Sequence, residues 1–250
     1  MIDAQNTTTT LYSYQSGIGA NTEAILNRTL RHILYGDLYD GGDGVDVHWN
    51  SVVLYSRLNS SATDLSVKNN TPTVGSLVAY VDAKFGKGIS CNGTVNTAIS
   101  YPATNFAVAA NQDFTIEGWI SCSSKPTGYF YSAFGNWSSD TGICLFVKPS
   151  QGFHVSINTS YISNNEPYNI NEFIHIAIVR NAGVITLYVN GVNVGNTTHT
   201  NAIAAKTFYL GGNGVATDYW RGIIDEVRVT VGVARYTANF TPQTKEFYNF

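Results

Sequence analysis

Charge is scarce in this sequence: Asp, Glu, Lys and Arg fill only 12% of its 250 positions, about half the usual share for a soluble domain. No run of Lys or Arg occurs, and the formal net charge is only -3. The electrostatic footprint of a phosphate-binding surface is therefore missing, which excludes nucleic acid as an expected partner. No stretch approaches the roughly 20 apolar residues that span a bilayer, so no helical membrane insertion is expected. The opening MIDAQNTTTTLYSYQ lacks the basic start and apolar centre of an export leader, and export by that route is not expected either. Three cysteines, Cys91, Cys122 and Cys144, do not make an even disulfide framework, and reduced, half-buried thiols are the expectation.

Catalytic signatures are equally thin. There is no Gly-x-Ser-x-Gly elbow and no phosphate-binding glycine loop. The five histidines, at 32, 48, 154, 175 and 199, show no close metal-ligand spacing, and His175 reads as a hydrogen-bonded core histidine. A retaining glycosidase needs two carboxyl groups about 5–5.5 Å apart, and no Glu-x-Asp-x-Glu run supplies them among the six glutamates. Asp225 and Glu226 are adjacent, which on a strand sends them to opposite faces. Glu117 is expected to meet Arg180 or Arg228 across a sheet as a surface ion pair worth about 0–1 kcal/mol.

What is present divides into two parts. Up to about Asp46 the sequence offers one helix, over 23–35: Asn21 or Thr22 caps it, Leu26, Leu30, Ile33 and Leu34 fall at i, i+4, i+7 and i+8, and Gly36 stops it. One short amphipathic helix cannot bury its stripe alone, so it is expected to dock on another surface and to serve as an anchor. Asp40-Gly41-Gly42-Asp43-Gly44 then reads as a flexible joint.

From Val47 to the C-terminus the text becomes short β-rich runs between turn clusters, at 52–57, 76–82, 114–122, 142–147, 153–158, 173–180, 184–189, 207–210 and 223–229. Phe114, Ile116 and Ile120 alternate with Thr115, Glu117 and Trp119, as in a half-buried strand. Ile174, Ile176 and Ile178 alternate with Phe173, His175, Ala177 and Val179, so that strand is expected to be central and covered on both faces. Trp119 and Phe173 are assigned to the core. Asn190-Gly191 between two apolar runs predicts a two-residue hairpin turn. No internal repeat appears, which excludes solenoids and propellers.

Taken together, Phe114-Thr115-Ile116-Glu117-Gly118-Trp119-Ile120, Phe173-Ile174-His175-Ile176-Ala177-Ile178-Val179-Arg180, Leu187-Tyr188-Val189-Asn190-Gly191 and Gly222-Ile223-Ile224-Asp225-Glu226-Val227-Arg228-Val229 resemble, in order and spacing, the core of the laminin-G-like, pentraxin-type branch of the concanavalin A-like lectins. Val52-Val53-Leu54-Tyr55 and Lys84-Phe85-Gly86-Lys87-Gly88-Ile89 resemble its opening strands. The resemblance covers about four fifths of the chain. Gly232-Val233-Ala234-Arg235-Tyr236-Thr237-Ala238-Asn239-Phe240-Thr241-Pro242 resembles the close of such modules in bacteriophage virion proteins of tail fibres, baseplates and capsid surfaces. The resemblance implies an all-β, two-sheet antiparallel β-sandwich of jelly-roll type over 47–250, following a helical N-terminal segment over 1–46.

It also implies a place to look for calcium. Relatives often hold the ion with an Asp after the first strand, a second Asp in the next loop and the Asp of the Ile-Asp-Glu motif. Asp64 and Asp225 match the latter two, while Arg57 replaces the first. A guanidinium there supplies positive charge internally and is expected to pair with Asp64 or Asp225, so no cofactor is expected.

For ligand contacts the informative residues are aromatics beside amides and carboxylates, since sugar rings stack on Tyr or Trp while Asn and Asp fix hydroxyls. Two loops qualify: Tyr129, Tyr131, Asn136, Trp137 and Asp140 in the first, Asn213, Asp218, Tyr219 and Trp220 in the second. The plainer reading of such aromatics is that they plug the end of the core or face a neighbouring subunit. The expectation is a non-enzymatic virion protein of a bacteriophage, part of a large assembly. It would be tethered to other virion proteins by its N-terminal segment and would display a face for host surface glycans or partners. A purely architectural decoration or tail-assembly protein, or a carbohydrate-active enzyme, are the alternatives.

Overall fold

In the computed structural model the described residues are 46–128, 130–137, 141–149, 152–164, 168–215 and 218–247. The expected anchoring helix with Leu26, Leu30, Ile33 and Leu34 lies outside them, as do Tyr129 and Asp140. All the strands belong to one unit, His48–Phe247.

Among the described residues fifteen strands make two sheets. In chain order they are β1 Val52–Ser56, β2 Thr73–Val74, β3 Ala79–Asp82, β4 Lys87–Asn92, β5 Ile99–Tyr101, β6 Phe114–Cys122, β7 Tyr131–Gly135, β8 Ile143–Val147, β9 Phe153–Ile157, β10 Ser160–Ser163, β11 Phe173–Asn181, β12 Val184–Val189, β13 Val192–Thr198, β14 Phe208–Leu210 and β15 Arg221–Val231. An eight-stranded sheet runs β13-β12-β11-β6-β15-β4-β3, with β1 also on β15; a seven-stranded sheet runs β10-β9-β8-β7-β14-β5-β2. Every strand pair is antiparallel.

The core between the sheets follows from period-two alternation. Phe114, Ile116 and Ile120 of β6 and Ile174, Ile176 and Ile178 of β11 face Leu145 and Val147 of β8, Val155 of β9 and Phe208 of β14 in one apolar cluster. Among the described residues no helix is long and apolar enough to cross a membrane.

β15 is long enough to serve three partners. It pairs with β6 along one edge, and along the other with β4 through Arg221–Ile224 and then with β1 through Val227–Thr230. The register shifts between Asp225 and Arg228, where Glu226 takes a positive φ of 49°. The Ile-Asp-Glu motif is thus the bulge at which β15 changes neighbours. The adjacent carboxylates, expected on opposite faces, are both fully buried there: Asp225 Oδ2 accepts from Phe85 N, and Glu226 Oε2 accepts from Phe247 N and the Tyr55 hydroxyl.

The alternation of β6 predicted a half-buried strand, yet all nine of its residues are buried. The cause is the segment 232–247, which crosses the outer face of the eight-stranded sheet. Ala234, Tyr236 and Phe240 pack on Ala177, Val179 and Tyr188, and Phe247 packs on Tyr55 and Val52. Trp119 is buried, as expected, and it packs on this outer face against Phe85 and His175. Phe173, also assigned to the core, is half-buried at the start of β11. β11 itself is covered on both faces from Ile174 to Arg180, as its sequence predicts.

Under this strap lies the largest departure from expectation. Glu117, read as a surface partner, is fully buried. Its Oε1 accepts from Arg228 at 2.8 Å and 3.0 Å, and its Oε2 accepts from the Tyr236 hydroxyl at 2.8 Å. His175 Nε2 stands 3.5 Å and Arg235 Nε 3.9 Å away. Burial alone would raise the Glu117 pKa, but Arg228, with His175 and Arg235, holds it well below the usual carboxylate range. Arg180 turns elsewhere: it donates to the backbone carbonyls of Gln112 and Ala109, each at 2.6 Å, and of Asn201 at 2.8 Å. Arg235 and Tyr236 of the C-terminal motif are therefore locking residues.

Candidate binding cleft

The loop after β7 is fixed by Asn136. Its backbone N–H donates to Ile143 O at 2.8 Å while its Oδ1 accepts from Ile143 N at 2.9 Å. This doubly pinned corner delivers Trp137 to the surface. Nearby, β14 is in register so that Tyr209 lies opposite Gly135. A glycine there presents no side chain to crowd the Tyr209 ring.

After β14 the chain turns at Gly211, with φ 82°, and folds back. Asn213 Oδ1 accepts from Val215 N at 2.9 Å and its Nδ2 reaches Asp218 Oδ2 at 3.5 Å. This brings Gly214 beside Tyr209, where a Cβ would lie 3.1 Å from the Tyr209 hydroxyl.

The two loops singled out from sequence meet in one cleft of about 460 Å³, lined by Ala103, Asn136, Trp137, Lys206, Thr207, Tyr209, Asn213 and Gly214. That volume suits a small ligand or one end of a larger one. Two half-buried aromatic residues, Trp137 and Tyr209, line it beside a hydroxyl, an ammonium and the Asn136 amide. Asn136 itself is buried, with its Oδ1 taken by Ile143 N. Lys206 is held by Thr141 through its side-chain and backbone oxygens.

The other sequence-selected residues are placed differently. Trp220 is wholly inside the inter-sheet core and presents nothing to a ligand. Tyr219 is buried, with its ring at Gly212. Tyr131 is half-buried in β7, a strand in a stretch read as loop, and lies under the Arg221 guanidinium at 5.6 Å. Asp218 braces the Asn213 loop. Lys206, Thr207 and Tyr209 escaped sequence reasoning, although the alternation Phe208-Tyr209-Leu210, apolar on both sides of Tyr209, was a signal that its ring faces outward.

Among the described residues no group of three or more His, Cys, Asp or Glu is placed to hold a metal ion, and the two expected residues differ in their surroundings. Asp64 is filled by N–H and O–H donors: Tyr55 N and Ser66 N on Oδ1, Ser66 Oγ, Asn70 N and Asn70 Nδ2 on Oδ2. Asp225 Oδ2 accepts from Phe85 N at 2.8 Å, its Oδ1 is buried without a partner among the described residues, and burial pushes its pKa up to about 7. Arg57 pairs with neither. It forms an ion pair with Glu246 at 3.4 Å and donates to the Tyr55 hydroxyl at 3.0 Å.

Glu117 is sealed by Arg228 and Tyr236. Asp113, four residues earlier, accepts from Ala182 N at 2.9 Å.

The Laminin_G_3 family, described as the Concanavalin A-like lectin/glucanases superfamily, matches residues 92–233. The binding domain of Paraclostridial Mosquitocidal Protein 1 superposes with a TM-score of 0.60 at 18% identity, covering 74% of this chain and 50% of that one. Domain 4 of AbnA, a GH43 extracellular arabinanase from Geobacillus stearothermophilus in complex with arabinotriose, gives 0.58 at 22% identity, covering 74% and 94%. The receptor binding domain of botulinum neurotoxin D gives 0.61 at 16% identity, covering 75% and 51%. This chain spans about half the length of the two toxin domains, and at these identities the likeness speaks for the fold alone. No curated protein matches the sequence.

Proposed function

Because the chain belongs to the concanavalin A-like lectin/glucanases superfamily, we propose that it is a non-catalytic glycan-binding module carried on a bacteriophage virion, with its ligand entering the cleft between Trp137 and Tyr209. The observation that carries this reading is the meeting of two aromatic residues with the Asn136 amide, the Thr207 hydroxyl and the Lys206 ammonium in one open cleft. A sugar ring presents an apolar C–H face and a polar rim, and this lining offers a partner for each. The arabinanase domain, whose structure is in complex with arabinotriose and which is matched over 94% of its own length, lends the reading support. For the virion, the support is the likeness of 232–242 to the close of phage modules; the N-terminal segment would then attach the protein to its particle. Glu117, Asp225 and Glu226 are buried and hydrogen-bonded within the sandwich, which favours binding over hydrolysis.

Glycan-array binding by the full chain tests the reading, with Trp137→Ala and Tyr209→Ala as paired variants. Binding by the native chain that both variants lose is the expected outcome. Array binding that survives both, or depolymerisation of host polysaccharide by the native chain, would overturn it. Antibody labelling of purified particles decides the virion assignment separately.

A further inference from the structure

Beyond Trp137 the outer face of the seven-stranded sheet carries a second group of rings. Trp137 meets Phe146 of β8 edge-on at 5.6 Å between centroids. Phe146 in turn touches Phe130 at 5.9 Å and His154 of β9 at 6.3 Å, and Tyr161 of β10 stacks on His154 at 5.5 Å with planes 25° apart. Strand register causes this run: Phe146 pairs with His154, and Tyr161 pairs with Ser156, diagonal to His154. Phe146 and His154 form a buried floor, while Phe130 and Tyr161 stay 40% and 64% exposed. Two exposed large rings on a floor of this kind are more than scattered surface apolars.

A cation stands between them. Lys148 Nζ lies 5.2 Å from the Phe130 centroid and 5.8 Å from that of Tyr161, within reach of both ring faces. Among the described residues no carboxylate pairs with it. The nitrogens of His154 contact Ser163 Oγ at 2.8 Å and Ser156 Oγ at 3.1 Å. Burial, with Lys148 nearby, also pulls its pKa down to about 4. Among the described residues Lys148 is thus the charge of this patch, on a chain of formal net charge -3, and the patch continues from the cleft through Trp137.

Resting on the glycan-binding reading, we propose that this patch is a second subsite for an anionic sugar residue. The ligand is then an extended acidic oligosaccharide, with one unit in the cleft and a carboxylate-bearing unit between Phe130 and Tyr161 at Lys148. The stacking rings take the sugar faces and the ammonium takes the carboxylate.

Calorimetric titration of the full chain with oligouronates, sulfated oligosaccharides and neutral oligosaccharides of equal length tests this. Lys148→Gln is expected to lower affinity for the anionic ligands about fivefold and to leave neutral ones unchanged. Tyr161→Ala is expected to weaken both about tenfold, and Trp137→Ala to abolish all binding. Preference for sulfated over uronate ligands would transfer the subsite to sulfated sugars and overturn the carboxylate assignment. Loss with Trp137→Ala alone, or no preference for anionic over neutral ligands, overturns the subsite while leaving the cleft reading intact. Binding of nothing by the native chain sinks both. Self-association that Tyr161→Ala abolishes would make the patch a subunit interface and also overturn the subsite.

Discussion

Arg228 and Glu117, 111 residues apart, meet at 2.8 Å beneath the C-terminal strap, both buried. The Arg228 guanidinium also lies 3.8 Å from the Phe247 ring centroid, so one cation joins strand β6 to the end of the strap. Removing one member of a buried pair leaves the other charge uncompensated, which costs about 3–5 kcal/mol. Glu117→Gln is expected to destabilise the protein by about that much in urea titration. A double variant with Arg228→Met should recover part of the loss, because neither charge is then stranded. Equal losses in the single and double variants would contradict this account.

The bulge of β15 predicts how stability varies with pH. Burial raises the pKa of Asp225 to about 7 and that of Glu226 to about 8, the latter with the Asp225 charge adding. In the unfolded chain both titrate near 4. The native state thus holds protons that the unfolded state has released, and stability falls as pH rises from about 4 to 8. Glu117 acts in the opposite sense: its lowered pKa stabilises above about 4.5 and that contribution fades as pH falls. Urea midpoints should therefore peak on the acid side of neutrality and decline towards pH 8. Glu226→Gln should flatten the decline, since its neutral amide keeps the contacts to the Tyr55 hydroxyl and Phe247 N without titrating. A midpoint that rises between pH 5 and 8 would rule the assignment out.

The sandwich was legible wherever burial depended on neighbours close in sequence or on strand alternation. Ile174 to Val179, apolar on both faces, is buried on both, and Asn190-Gly191 makes its hairpin with φ of 50° and 78°. The outer face was not legible, because Glu117 reads as a solvent residue until a segment more than a hundred residues later covers it. Alternation says which side chains share a face; it does not say what lies on that face. The same limit explains the cleft. Asn136, Trp137 and Asn213 stood out as loop amides and aromatics, but Trp220 has the same composition around it and belongs to the core. Tyr209 went unseen because its place opposite Gly135 is a cross-strand relation.

The two tryptophans therefore separate binding from folding. Trp220→Ala removes a fully buried ring and is expected to cost about 3–5 kcal/mol of stability through the cavity it leaves. Trp137 is half-buried, and its indole N–H is buried with no partner among the described residues. Trp137→Ala should cost much less than Trp220→Ala in thermal unfolding yet abolish glycan binding. If Trp137→Ala unfolds the protein as severely as Trp220→Ala does, Trp137 is a structural plug and its role in the cleft lapses.

Gly191 shows how the strap depends on one turn. Its φ of 78° lies where only glycine is unstrained, and Phe240 N donates to Gly191 O at 2.9 Å. A Cβ at this position would collide with the Phe240 carbonyl oxygen and approach Pro242 Cδ to 3.2 Å. Gly191→Ala therefore strains the turn and pushes away the strap residue that stacks on Tyr236 at 3.6 Å. Tyr236 in turn donates to Glu117, so the displacement reaches the buried carboxylate. The expected cost is about 1–3 kcal/mol from backbone strain alone, with faster amide exchange in strand β6 than the strain by itself would cause. Phe240→Ala removes the packing without straining the turn. It should accelerate exchange at the same β6 amides while leaving those of the β12–β13 hairpin protected, a pattern that hydrogen-exchange mass spectrometry resolves. Exchange changes confined to the hairpin in Gly191→Ala, with β6 unaffected in both variants, would show that the strap is not what seals Glu117.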